Sequence, residues 1–98
     1  MPDPAVLLSM AALHLDINAL ISTLLPVFDG HAWRSLGLLA NPATGEVDKD
    51  LPAAQLAIDC VQFFLSKVEN SLLPSDRHDM HRRLSDLRMN YLAKLQEH

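Results

Sequence analysis

Two histidines, His78 and His81, are three residues apart, which is a spacing that suits a shared metal ion. On a helix, residues three apart lie on the same face, and imidazole nitrogens are common Zn²⁺ ligands. Zinc sites need three or four ligands, however, and neither a cysteine partner for these histidines nor a Glu-x-x-His motif is evident. We therefore expect two solvated histidines on an exposed face beside Asp79, and no bound metal.

An acidic and a basic residue on two different predicted helices could form an ion pair. Asp59 lies on the polar strip of the central predicted helix, and Arg88 lies within the apolar stripe of the last one. A bidentate contact between a carboxylate and a guanidinium group is strong and geometrically specific. We predict that Asp59 and Arg88 pair, within the chain or across a subunit boundary. The alternative is that the stem of Arg88 lies along the core edge while its charged head stays in water.

The other polar residues form no pattern typical of catalysis. His14 and Asp16 point to different sides of their helix, so they do not form a dyad. Glu46, Asp48 and Asp50 alternate as in a calcium loop, but the glycine at position six and the closing glutamate are missing. There is no Ser, His and Asp order and no glycine-rich phosphate loop. We expect neither enzymatic activity nor a cofactor.

The central predicted helix, Leu51 to Leu72, carries more apolar surface than one neighbour can cover. Its polar residues step by four and three and form one narrow stripe. The apolar arc opposite, which contains Val61, Phe63 and Phe64, covers roughly 220°, whereas a surface helix needs a stripe about 100° wide. This helix must therefore be covered from two sides.

The stretch from Ala5 to Phe28 is predicted to be one long helix. Asp3 and Pro4 suit its N-cap and first position, and Pro26 should end or kink it. Apolar residues on one side alternate steps of four and three, as in a coiled-coil seam. The expected oligomer or partner interface combines this seam with the central apolar arc: Val6, Met10, Leu13, Ile17, Leu20, Leu24, Val61, Phe63 and Phe64.

Three further segments complete an all-α prediction. Asp29 can cap a short helix from about Gly30 to Leu38, and the turn-rich run from Ala40 to Asp50 is a structured connection. Asp50 then caps the central helix, and the last helix starts near Pro74. The fold class is a small helical bundle: a long N-terminal helix, a short helix and a C-terminal antiparallel helix pair.

The 98 residues fit a single helical domain, residues 1–98, with a formal net charge of −4. Phosphate binding needs clustered Lys and Arg, so nucleic acid is not an expected partner. Cys60, the single cysteine, falls on the apolar arc and is predicted to be a buried thiol in a reducing compartment. The first residues lack the positive charge of a secretory signal, so we expect a cytoplasmic protein.

The segment of residues 5–28 is long and apolar enough to raise the question of membrane insertion. His14, Asp16 and Asn18 lie in its middle, and an aspartate there costs about 2.5 to 3.5 kcal/mol on an insertion scale. No Lys or Arg precedes the segment. We therefore expect no membrane partner, and membrane association through residues 5–28 is kept as an alternative.

Three motifs together resemble a known family. They are NPATGEVDKDL at Asn41 to Leu51, AIDCVQFF at Ala57 to Phe64, and LRMNYL at Leu87 to Leu92. They are similar to the bacterial family called domain of unknown function 1844, over about residues 32–92. The chain departs from the family in its longer, more apolar first helix and at LLPSD, residues 72–76. The resemblance implies a small cytoplasmic helical protein of bacteria and implies no activity.

These patterns favour a non-enzymatic helical interaction or structural module that self-associates through apolar helix faces. A homodimer with two-fold symmetry is the simplest assembly that covers the excess apolar surface. A trimer or tetramer would also cover it, as would a separate protein partner. One alternative class is a ligand-binding or catalytic helical protein with a pocket between helices. The other is the membrane-associated protein described above.

Overall fold

The computed structural model describes residues 3–97, and the fold within them is all-α as predicted. The helices are α1 (Pro4–Ala12), α2 (Ile17–Ser35), α3 (Leu51–Val68) and α4 (Pro74–Leu95), with a short 3₁₀ turn at Glu69–Ser71. Over the described range, extended pairing is limited to one isolated antiparallel bridge between Leu36 and Lys49. The core therefore forms between helices.

The prediction of a single helix from Ala5 to Phe28 is wrong, because residues 13–16 separate α1 from α2. Within this break, two backbone amides donate to carbonyls three residues earlier, at 3.1 and 3.2 Å, which closes the end of α1. Asp16 Oδ1 then accepts a hydrogen bond of 2.7 Å from the amide of Ala19. Asp16 is therefore the N-cap of a new helix, and the predicted apolar seam is divided between α1 and α2.

The prediction of a short second helix, Gly30 to Leu38, is also wrong. α2 continues through Pro26 and ends at Ser35. A proline removes one backbone hydrogen bond from a helix interior, but core residues lie on both sides of this one, Leu25 before it and Ala32 after it. Asp29 is consequently a buried side chain of α2 and caps no helix.

The start of α3 agrees with the sequence, whereas its end does not. Asp50 Oδ1 accepts a hydrogen bond of 3.1 Å from the amide of Ala53, so its predicted capping role is confirmed. The α-helix ends at Val68, four residues before the predicted end at Leu72. Leu73 precedes a proline and is extended with ψ of 147°, as steric contact with the proline ring requires. The chain must therefore leave the helix before α4 begins at Pro74.

The connection between α2 and α3 is structured, as predicted. Asn41 Oδ1 accepts a hydrogen bond of 2.9 Å from the amide of Ala43, and the Asn41 carbonyl accepts one of 2.7 Å from Gly45. Gly45 has φ of +73°, which favours glycine. At the end of the connection, the Asp50 amide donates to the Ser35 carbonyl at 2.8 Å. The end of α2 and the start of α3 are therefore held together.

The core lies between α2, α3 and α4, and no side chain of α1 is buried. Val61, predicted as an interface residue, is 0% exposed and packs within its own chain. The buried apolar residues are Leu25, Ala32, Leu36, Ala54, Ala57, Ile58, Val61, Leu65, Val68, Leu84 and Leu87.

The molecule is extended for its size. Its Cα radius of gyration is 14.9 Å, against about 13 Å for a compact domain of this length. Its accessible surface is 6876 Å², which is about 1,300 Å² more than the roughly 5,600 Å² typical of a folded monomer of this mass. The chain therefore leaves an unusual amount of surface uncovered.

Candidate interaction surfaces

An open groove of about 480 Å³ lies between α1 and the first half of α2. It exists because the break at residues 13–16 turns two parts of one apolar stretch into two walls. We call it the N-terminal groove, and its lining residues are Leu8, Ser9, Ala11, Ala12, Leu15, Leu20, Thr23 and Leu24.

The two hydroxyl groups that line the N-terminal groove are bonded within their own helices. Ser9 Oγ donates to the Ala5 carbonyl at 2.9 Å, and Thr23 Oγ1 donates to the Ala19 carbonyl at 2.7 Å. Such bonding to the preceding turn uses the only proton that each hydroxyl can donate. The groove therefore offers apolar contact and none of the convergent polar groups that a small-molecule site uses for orientation.

The predicted seam is distributed over both sides of the break. Leu20 and Leu24 line the N-terminal groove and are half-buried. The other four seam residues are exposed, with Leu13 at 83% the most exposed of them: Val6, Met10, Leu13 and Ile17. The sequence identified the apolar residues, but the groove itself was missed because it depends on the break.

A second apolar surface lies on α3, where Leu56, Cys60 and Phe63 step by four and three along one side. We call these three residues the α3 outer face. Leu56 is 66% exposed and Phe63 is 57% exposed. Cys60, predicted to be a buried thiol, is half-buried. The excess apolar arc expected on the central helix is therefore only partly covered.

The α3 outer face borders a shallower groove between α2 and α3. This groove has a volume of about 360 Å³, and Phe28 lies among its lining residues. The ring of Phe28 packs against Phe64, with their centroids 5.4 Å apart, so Phe64 is half-buried. Arg34 Nη2 lies 3.1 Å from His31 Nδ1 in the same groove. This surface thus combines apolar and cationic groups, unlike the N-terminal groove.

One buried carboxylate joins α2 to α4. Asp29 is 6% exposed, and its Oδ2 lies 3.3 Å from Arg83 Nη1. Arg83 Nε also contacts Asp79 Oδ2 at 3.2 Å. Asp29 Oδ1 is buried and finds no hydrogen-bond partner within residues 3–97. The pair was missed from the sequence, although the spacing of Asp29 from Leu25 and Ala32 would place all three on one face of an uninterrupted helix.

Asp59 and Arg88 line the same shallow depression between α3 and α4. In the described part of the chain, no ion pair joins them, and Asp59 Oδ1 accepts a hydrogen bond of 2.8 Å from Gln55 Nε2. Arg88 is exposed. Their pairing across a subunit boundary stays a prediction.

The two histidines of the predicted metal pair have different surroundings. His81 Nε2 lies 3.4 Å from Glu69 Oε1, and His78 is exposed. Between residues 3 and 97, no group of three or more His, Cys, Asp or Glu side chains is arranged to hold a metal ion.

A small charge cluster lies where the start of α3 meets the end of α4. Lys94 Nζ lies 3.2 Å from Glu97 Oε1, and Lys49 Nζ lies 3.5 Å from Glu97 Oε2. The hydrogen bond from Lys94 lowers the pKa of Glu97 below its ordinary value, and the positive charges of Lys94 and Lys49 act in the same direction. All three groups are solvent-exposed to some degree, so the cluster contributes little to stability.

The segment of residues 5–28, considered above for membrane insertion, comprises most of α1, the break and the first part of α2. Across the part of the chain that the structure covers, no helix is both long and apolar enough to cross a bilayer.

Comparison with known proteins places the chain in a family. The model of the family described as "Domain of unknown function (DUF1844)" matches residues 14–93. That region starts just after α1 ends and contains α2, α3 and all but the last two residues of α4. Searches of the curated proteins and of the solved structures gave no match. The match covers most of the chain and agrees with the three motifs at residues 41–51, 57–64 and 87–92, so this protein belongs to the domain of unknown function 1844 family.

Proposed function

We propose that this protein is a non-enzymatic helical module that self-associates, and that its assembly is a homodimer with two-fold symmetry. One observation carries the proposal: the chain exposes about 1,300 Å² more surface than a compact monomer of its mass. A stable protein interface covers about 800 Å² on each partner. The uncovered surface is therefore large enough to supply one complete interface.

The composition of the uncovered surface supports association over catalysis. The N-terminal groove and the α3 outer face expose large apolar side chains, such as Leu8 and Leu56, at more than half of their area. Contiguous apolar surface of this kind is typical of protein interaction sites. A catalytic pocket would need several polar groups aimed at one point, and the hydroxyls of the N-terminal groove are engaged in their own helices.

The proposal includes an antiparallel arrangement of α3 and α4. Three contacts support it. Glu69, after the end of α3, lies beside His81 near the start of α4. Asp59, in the middle of α3, lines a depression with Arg88. Lys49, before α3, contacts Glu97 after the end of α4. A helix pair of this kind leaves one side of α3 for α2 and another for a second molecule.

We also assign the protein to the reducing cytoplasm of a bacterium. Cys60 is half-buried and belongs to no disulfide, which suits a compartment where thiols stay reduced. The family resemblance points in the same direction.

The test is the molar mass of the full chain in solution, measured by light scattering at low and at high micromolar concentration. We expect twice the mass of one chain at the higher concentration and a shift toward the single-chain mass on dilution. A single-chain mass at every concentration would contradict the proposal. Met89→Asp is a suitable control, because Met89 is exposed on α4 and belongs to neither apolar surface.

A further inference from the structure

We infer that the N-terminal groove is the surface that meets the second copy, and that α1 of each copy lies in the groove of the other. This inference rests on the proposed self-association and adds the surface and the occupant. The pairing is reciprocal, so each copy gives one helix and receives one.

The first argument is that α1 lacks packing of its own. It is a helix of nine residues without a buried side chain. Isolated helices shorter than about 12 to 15 residues are marginal in water, because too few hydrogen bonds offset the cost of nucleation. Apolar residues are exposed on several of its sides, including Leu7, Leu8 and Met10. A persistent α1 therefore needs a partner that this chain does not supply.

The second argument is that the groove is self-complementary. Its walls are α1 and α2, so a second α1 that enters it packs against both helices at once. By two-fold symmetry, the first α1 then occupies the matching groove of the second copy. Ser9, Ala11 and Ala12 are small side chains along the groove, and small residues let helix axes approach closely. The result is a four-helix arrangement made from α1 and α2 of both copies.

The third argument concerns charge, and it favours a second copy over a lipid surface. No Lys or Arg occurs between Asp3 and Trp33, while Asp3, Asp16 and Asp29 carry negative charge. Helices that bind anionic membranes carry Lys and Arg on their polar face, and each contributes attraction near the lipid surface. An apolar helix flanked by acids lacks that attraction. A second copy needs only apolar contact.

The experiment compares the dimer dissociation constants of the full-length wild type and of Ala11→Glu by sedimentation velocity. Ala11 is exposed in the chain and lines the groove, and both alanine and glutamate favour helix, so the variant keeps its fold. A carboxylate placed in an apolar interface without a partner is strongly unfavourable, so we expect the dissociation constant to rise about 100-fold or more. Met89→Glu on α4 is the matched control, and we expect a change of less than about threefold for this exposed position.

A second measurement follows α1 directly by hydrogen exchange. We expect the amides of α1 to exchange slowly in the wild-type dimer and quickly after dilution or in Ala11→Glu, with the amides of α3 protected in both. Equal exchange of α1 in monomer and dimer would overturn the inference.

The outcomes separate this inference from the proposal on which it rests. A wild type that stays monomeric contradicts both. If Ala11→Glu dimerises like the wild type, the groove is not the interface, but self-association stands, and loss of the dimer in Phe63→Glu would then place the contact on the α3 outer face. Binding of the monomer to phosphatidylglycerol vesicles, with no dimer in solution, would replace the second copy by a lipid surface.

Discussion

Two apolar helices of this molecule, α1 and α3, differ in how they are covered. α3 lies between α2 and α4 and has six buried residues, whereas α1 has none. Both contain runs of Leu, Ala and Val, so composition does not explain the difference. Their positions in the fold explain it: α3 packs against both α2 and α4, whereas α1 is separated from α2 by the break at residues 13–16 and lies outside the core. An apolar composition therefore does not by itself place a helix in the core.

The comparison also predicts that α1 and α3 differ in their stability against local unfolding. Full burial of a Leu, Ile or Val side chain contributes about 1.5 to 3 kcal/mol, and α3 gains this several times over. α1 gains none of it within one chain. Local opening free energies in proteins range from near zero to the global value, and α1 and α3 should lie near opposite ends of that range.

The largest expected effect comes from matched leucine truncations in the two helices. Leu65 is 1% exposed, so Leu65→Ala should lower the free energy of unfolding by about 2 to 5 kcal/mol through lost burial and a cavity. Leu8 is 69% exposed, so Leu8→Ala should change it by less than about 0.5 kcal/mol. Urea unfolding at a concentration where the chain is monomeric measures both. Equal losses would show that α1 belongs to the core.

A smaller effect is expected from the ion pair that joins α2 to α4. Arg83→Ala leaves the buried carboxylate of Asp29 without its cation and should cost about 1 to 3 kcal/mol, toward the lower end because Arg83 is half-exposed. Arg82→Ala is the matched control, since within residues 3–97 the ion-pair partner of Arg82 is the solvent-accessible Asp79. It should cost less than about 1 kcal/mol. Thermal unfolding of the two variants measures the stability that each one loses. Similar losses would argue against a special role for Asp29.

The smallest expected effect on stability comes from removing the aspartate N-caps of α3 and α1. Asp50→Ala removes the N-cap of α3 and should cost about 1 kcal/mol of global stability. Asp3→Ala removes the equivalent cap of α1, where Asp3 Oδ1 accepts a hydrogen bond of 2.8 Å from Ala5. In the monomer, this second change should accelerate exchange of α1 amides and leave the unfolding midpoint unchanged. A lower midpoint for Asp3→Ala would contradict the separation of α1 from the core.

The sequence predicted those features that depend on neighbouring residues. The caps at Asp3 and Asp50, the proline start of α4 and the turns around Asn41 and Gly45 all follow from local backbone chemistry. The all-α class follows from helical periodicity. These features can be predicted without knowing which helices pack against each other.

The predicted helix boundaries were wrong where packing or capping outweighed the periodic pattern of apolar residues. The seam continues through Asp16 without a change of period, so periodicity could not show that its carboxylate caps a new helix. Pro26 is a helix-breaking signal, yet the buried contacts of Leu25 and Ala32 extend α2 on both sides of it. The N-terminal groove was missed for the same reason. Its apolar residues were identified from the sequence, but the groove itself depends on the break at residues 13–16, which was not predicted.

The break at residues 13–16 makes the start of α2 independent of α1. Asp16 starts α2 without any help from α1, and the family match likewise begins at residue 14. A change in the length or apolarity of α1 should therefore leave the fold of α2, α3 and α4 intact, because the core contains no residue of α1.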